Sequence, residues 1–193
     1  MRELDEAIFL WVNGWAGKFT ALDEVMRLIA SDYLVPVTLA LILFALWFAG
    51  TDLGTRERYQ IGILVAVLAV ALANSSIEVL NNFYFRDRPF LNHEVELRFY
   101  RPTDSSFPAN SAAAAFAIAG SVGIFQRRLA IVIASLAALY AFSRVYVGVH
   151  YPLDVVGGAV FGLVAVPIAV VLVRIIRPAL LLSLRWLRLI LVA

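Results

Sequence analysis

The stretch LDVVGGAVFGLVAVPIAVVLVRII, residues 153–176, decides how the rest of the chain is read. Its charged residues, Asp154 and Arg174, stand near its two ends, and nothing between them carries charge. A helix of this length spans about 36 Å at about 1.5 Å per residue, enough for a hydrocarbon core of about 30 Å. Four further apolar runs precede it: Leu34–Gly50, Gln60–Asn82, Pro108–Phe125 and Leu129–Val147. In lipid each backbone polar group must be satisfied within its own segment, so all five runs are predicted to be helices. A greasy soluble bundle is the competing reading. The chain is 62% hydrophobic with mean hydropathy +0.86, whereas soluble domains sit near half apolar. The expected fold is therefore all-α, an integral-membrane bundle of about five transmembrane helices.

The 193 residues suit one membrane-embedded domain, 1–193. With no cysteine, disulfides, thiolate metal sites and thiol nucleophiles are excluded. A net charge of +2 gives no reason to expect nucleic acid. The start, MRELDEAIFLWVNGWAG, is acidic where a signal peptide is basic. Segment 1–32 is expected to lie at the interface as amphipathic helices, with Trp11 and Trp15 at headgroup level. Residues 179–193, which carry Arg185, Trp186 and Arg188, are expected to form an interfacial C-terminal helix.

Five spans sort the connections onto two sides. Arg56, Arg58, Arg127, Arg128, Arg174, Arg177, Arg185 and Arg188 share one side, opposed by Asp52 and Glu57. The positive-inside rule makes that side cytoplasmic. The loop 83–107 and His150 then face outward.

Three polar stretches meet on the outer side: NNFYFRDRPF (81–90), DSSFPANSAA (104–113) and SRVYVGVHYPLD (143–154). Arg86, Arg88 and Arg144 can each donate forked hydrogen bonds to an oxyanion. Helix starts near Asn110–Ser111 and Pro152 would add free N–H groups and positive dipole ends. Pro152 suits the first helical position, which puts Asp154 in the first turn. Asp154 is expected to accept a hydrogen bond from one nitrogen of His150, leaving the other nitrogen free as a nucleophile. Arginines at span ends commonly just snorkel, and an isolated His-x-x-x-Asp pair is more often structural. Their co-location reads as a phosphate cradle with an activated histidine.

These residues resemble a known family. SRVYVGVHYPLD is similar to the third signature of the type-2 phosphatidic acid phosphatase superfamily, RPF (88–90) to the end of the first, and FPANSA (107–112) stands where the second, Pro-Ser-Gly-His, belongs. Within that superfamily, NGWAGKFTALDEVMRLIASDYLV, RPFLNHEV and DSSFPANSA resemble the undecaprenyl-pyrophosphate phosphatases of the bacitracin-resistance type. The resemblance implies a route with no metal or other cofactor, through a phosphohistidine in the plasma (inner) membrane. His150 would attack phosphorus and Asp154 would orient it. Arg88 and Arg144 would hold the phosphoryl oxygens, and Ser143 would orient Arg144 or touch phosphate. Arg86, Asn110 and Ser111 complete the expected phosphate-binding set. The expected partners are a lipid phosphate or diphosphate substrate and membrane lipids.

Two positions depart from the family pattern. Asn81 stands where the first signature has lysine, and Arg86 is a cation that could replace it. Ser111 stands where the second signature has the histidine that protonates the leaving group. Losing a general acid costs about a hundredfold to ten-thousandfold. An alkoxide leaving from a monoester needs that proton badly. A phosphomonoester anion leaving from a diphosphate needs it much less, so Ser111 favours a diphosphate. The reading is hydrolysis of undecaprenyl pyrophosphate. A broad phosphatidic acid or phosphatidylglycerol phosphate phosphatase is the rival enzyme, and a lipid-phosphate binding or transport protein the rival from another class.

Other residues carry weaker signals. Glu78 shares a face with Asn74, Asn81 and Asn82, which suits a structural partner slightly better than chemistry. The small-residue run 111–120 allows close helix packing. His93, beside Glu94 and Glu96, reads as loop, with a substitute acid or metal ligand the lesser alternatives.

Overall fold

The computed structural model describes residues 2–178 in full and the helical backbone on to Val192. Among the described residues every regular element is a helix: α1 (Arg2–Asn13), α2 (Thr20–Ala30), α3 (Leu34–Phe48), α4 (Leu53–Asn81), α5 (Pro89–Asn92), α6 (Asn110–Gly123), α7 (Arg127–Tyr146) and α8 (Pro152–Val192). The five apolar runs become α3, α4, α6, α7 and α8 in that order. Pro152 opens α8 and Asp52 caps α4 by accepting from the Thr55 N–H at 2.9 Å. Over 179–192, where an interfacial helix is expected, the backbone runs on as part of α8.

Three of these helices are each long and apolar enough to cross a membrane: α4, α7 and α8 as far as Pro178. A fourth crossing of that kind requires α2 and α3 together, which meet at a 49° bend. The 14 residues of α6 extend only about 21 Å. The third apolar run thus forms a helix shorter than α4, α7 and α8. The Pro108 run gives up its first residues to the loop and packs its remainder inside the bundle. α6 lies against α4, α7 and α8, and its Ala112, Ala113, Ala115, Ala117 and Ala119 are all buried.

Small residues make that central position possible. A Cβ on Gly158 would fall 2.2 Å from the Ala109 carbonyl oxygen. Only glycine lets α8 come this close to the start of α6, and the Ala109 N–H donates to the Asp154 carbonyl at 2.9 Å. The stitch joins the first turns of two helices that the sequence keeps more than forty residues apart.

The N-terminal segment departs from the expectation of helices simply lying on the interface. Phe9, Val12 and Ala16 join a core cluster with Val145, Val149 and Tyr151. Asn13 bridges two segments: its side-chain amide donates to the Tyr146 carbonyl at 2.9 Å and to the Glu96 carbonyl at 3.1 Å. The acidic first turn of α1 adds an ion pair, Asp5 with Arg86 at 2.7 Å.

Candidate active site

The chain turns between α7 and α8 through Val147–Tyr151, with Gly148 at φ +89° supplying a backbone conformation that other residues resist. This turn buries His150, which is 4% exposed. His150 Nδ1 lies 2.9 Å from the Ser106 carbonyl oxygen. A carbonyl only accepts, so Nδ1 carries the proton and Nε2 keeps its lone pair. Arg88 Nη1 stands 3.3 Å from that Nε2. Burial pushes the imidazole below its ordinary value, and the positive charges of Arg88 and Arg144 add to this while Asp154 opposes it. The ring is neutral near pH 7, with its free nitrogen beside a guanidinium.

Asp154 does not make the hydrogen bond expected of it. Its Oδ2 is 3.9 Å from His150 Nδ1, and the Ser106 carbonyl holds that proton instead. The carboxylate, fully buried, accepts from Arg86 Nη1 at 2.6 Å, the Ser106 hydroxyl at 2.5 Å and the Tyr151 N–H at 2.8 Å. It therefore fixes the loops on both sides of the histidine and sets a negative charge close to the ring.

Arg86, expected in the phosphate cradle, lies between two buried carboxylates. Besides Asp154 it donates to Asp5 Oδ2 at 2.7 Å, and Asp5 Oδ1 accepts the Leu153 N–H at 2.8 Å. Burial works against the guanidinium's charge, but the Asp5 hydrogen bond and the charges of Asp154 and Asp5 outweigh it and raise its pKa. The guanidinium also covers the Tyr151 ring at 4.2 Å.

Arg88 is held by loop acceptors. Nε donates to the Asp104 carbonyl at 3.0 Å, Nη1 to the Val149 carbonyl at 3.0 Å and Nη2 to Asp104 Oδ1 at 2.8 Å. Arg144, 4% exposed, donates through Nη2 to Asp32 and to the Tyr140 hydroxyl. Its guanidinium lies against the Phe99 and Tyr140 rings. Ser143 spends its hydroxyl on the Tyr140 carbonyl one turn back, at 2.7 Å.

Asn110 and Ser111 open α6. Asn110 is exposed, and the Ser111 hydroxyl oxygen is buried without a hydrogen-bond partner. His93 packs among the rings of Phe9 and Tyr151, at 6.4 and 6.1 Å between centroids. Glu78 is exposed on α4. Reading the sequence missed Asp5, Asp32, Asp104, Ser106 and Tyr140. Ser106 sits in a stretch already singled out, but a backbone carbonyl as the histidine's partner leaves no mark in the residue types.

An all-helical bundle with spans of membrane length, ending in a buried neutral histidine among arginines, places the chain in the class of multi-pass membrane lipid phosphatases. The chain belongs to the PAP2 superfamily, whose profile matches residues 62–178. It is 31% identical over 157 residues to undecaprenyl-diphosphatase BcrC of Bacillus subtilis (strain 168), covering 81% of this chain and 78% of that protein. The crystal structure of Aquifex aeolicus LpxE aligns with TM-score 0.67 and 27% identity over 85% of this chain and 93% of the other. The first transmembrane PAP2-type phosphatidylglycerolphosphate phosphatase from Bacillus subtilis shares the fold, with TM-score 0.61 and 23% identity over 87% and 83% of the two chains.

Proposed function

We propose that this protein hydrolyses a polyprenyl diphosphate, with undecaprenyl pyrophosphate the best candidate, to the monophosphate and inorganic phosphate. The observation that carries the reading is the His150 tautomer: Nδ1–H donates to the Ser106 carbonyl, and Nε2 faces Arg88. The likeness to an undecaprenyl-diphosphatase supports the choice of substrate.

The terminal phosphoryl group binds with its oxygens on Arg88 and Arg144, which frees the Nε2 lone pair to attack phosphorus. The bond from phosphorus to the bridging oxygen breaks, and the prenyl monophosphate leaves with that electron pair. His150 becomes a phosphohistidine whose positive ring is stabilised by Asp154 and the Ser106 carbonyl. Water then attacks phosphorus, the N–P bond breaks, and phosphate departs. No metal ion is required in this sequence. Ser111 is too weak an acid to protonate an alkoxide leaving group efficiently, which favours a diphosphate over a phosphomonoester. The arginines gathered at the end of the bundle away from His150 support a site facing the extracytoplasmic side of the plasma membrane.

The test is phosphate release by the purified protein from undecaprenyl diphosphate and from phosphatidic acid, with His150→Ala as control. The diphosphate is expected to be the better substrate, and His150→Ala to lose activity by about 10⁴-fold or more. Equal or better use of phosphatidic acid overturns the substrate assignment. Turnover that survives His150→Ala overturns the mechanism, and no release from any lipid phosphate leaves a binding protein.

A further inference from the structure

The two buried arginines assigned to the phosphoryl group are both already paired with carboxylates. Arg88, whose side chain is 5% exposed, holds Asp104, whose side chain is 55% exposed. Arg144, also 5% exposed, holds Asp32, which is 45% exposed. Each pair has an inner cation fixed by the fold and an outer anion open to solvent. The Arg144 set is also unfinished: its Nε is buried without a partner, a costly state for a charged donor.

Asp32 reaches Arg144 from the break between α2 and α3. Its other oxygen accepts the Tyr100 hydroxyl at 2.8 Å. Tyr100 lies against Phe99 at 4.5 Å between centroids, and Phe99 covers Arg144 at 4.8 Å. Asp32 thus fastens the loop over the arginine. Asp104 occupies Arg88 on the other side, at the rim of a cavity of about 330 Å³ that Arg101 and Phe90 also line.

We infer that Asp32 and Asp104 are anion gates: each carboxylate holds the Nη2 of its arginine in the resting site, and an incoming phosphoryl group displaces both, which makes them specificity-determining residues. The inference rests on the proposed phosphatase reading for the identity of the natural ligand. The charge balance gives the gate its selectivity. Two carboxylates leave the arginines, and a phosphomonoester brings about −1.5 to −2 in return, close to an even exchange. A diphosphate brings a second ionised phosphate, with Arg101 at the cavity rim to receive it. The same gate speeds release of inorganic phosphate, because the carboxylates compete for the arginines as the product leaves.

The experiment uses Asp32→Asn and Asp104→Asn in the full chain. Asparagine keeps an acceptor for the arginine and removes the charge. Asp52→Asn is the control, since Asp52 caps α4 at the other end of the bundle. Binding of orthovanadate is followed by intrinsic tryptophan fluorescence or thermal shift, which needs no turnover. Each gate variant is expected to bind vanadate about fivefold more tightly than the parent protein, with Asp52→Asn unchanged. The ratio of kcat/KM for diphosphate over monoester is expected to fall by a similar factor. Unchanged or weaker vanadate binding in both variants overturns the gate. If vanadate binding tightens while the parent releases no phosphate from any lipid, the gate stands and the phosphatase reading fails. Because the two carboxylates sit on separate loops, a folding defect in one variant leaves the other as the test.

Discussion

Arg86 and Arg88 are two residues apart, and the fold gives them opposite surroundings. Arg86 is held by Asp5 and Asp154, whose side chains are 1% and 0% exposed. Arg88 is itself buried, but its carboxylate partner faces solvent. A buried partner cannot leave without exposing an uncompensated charge to a poorly solvating interior. An exposed partner can leave and be hydrated. The first arrangement is a structural lock, and the second is what the proposed phosphate site requires. The residue type is the same in both, so the solvent exposure of the partner is what separates the roles.

The largest expected effects come from breaking this pair apart. Arg86→Ala strands two buried carboxylates and should cost about 3–5 kcal/mol of stability, measured by denaturation in detergent. Arg88→Ala should lower kcat by about a hundredfold to a thousandfold, the usual loss for one donor to a developing oxyanion. Its loss of stability should be clearly the smaller of the two. If Arg86→Ala unfolds no more readily than Arg88→Ala, the distinction between lock and binding site is wrong.

The apolar helices were legible because a bilayer imposes a length and an apolar composition that few other environments do. The motif residues were legible because arginine, histidine and aspartate are conspicuous in such a chain. What connects them was not. Asp5 lies in an acidic N-terminal segment that looks like an interfacial helix, and only the docking of α1 on the turn before α8 shows why a carboxylate is needed there. The proton of His150 goes to a backbone carbonyl, and every residue has one. Arg86 and Arg88 look alike in the sequence because it shows the cation without the burial of its partner.

Ser111→His should give a smaller, selective gain. It tests whether the Arg88 side of the comparison lacks only an acid. Monoester cleavage should rise by up to about a hundredfold, and diphosphate cleavage by much less. Equal gains on both substrates would mean that leaving-group protonation is not what limits the monoester.

The pH response is the smallest effect, and it probes Arg88 through the histidine beside it. Burial lowers the His150 pKa from its ordinary 6.5, and Arg88 lowers it further. The acid limb of kcat/KM for the parent protein should therefore lie below pH 6.5. The same shift enters stability with a definite sign. As the pH falls below about 6.5 the unfolded chain takes up a proton that folded His150 resists, so this group's contribution to stability falls with the pH until the folded ring titrates as well. Replacing Arg88 by alanine removes a nearby positive charge and should move the imidazole back toward its ordinary value, readable by NMR titration of the ring even where turnover is weak. Arg88→Ala that leaves the His150 titration where it was would separate the guanidinium from the nucleophile and remove the basis for treating Arg88 as the catalytic member of the pair.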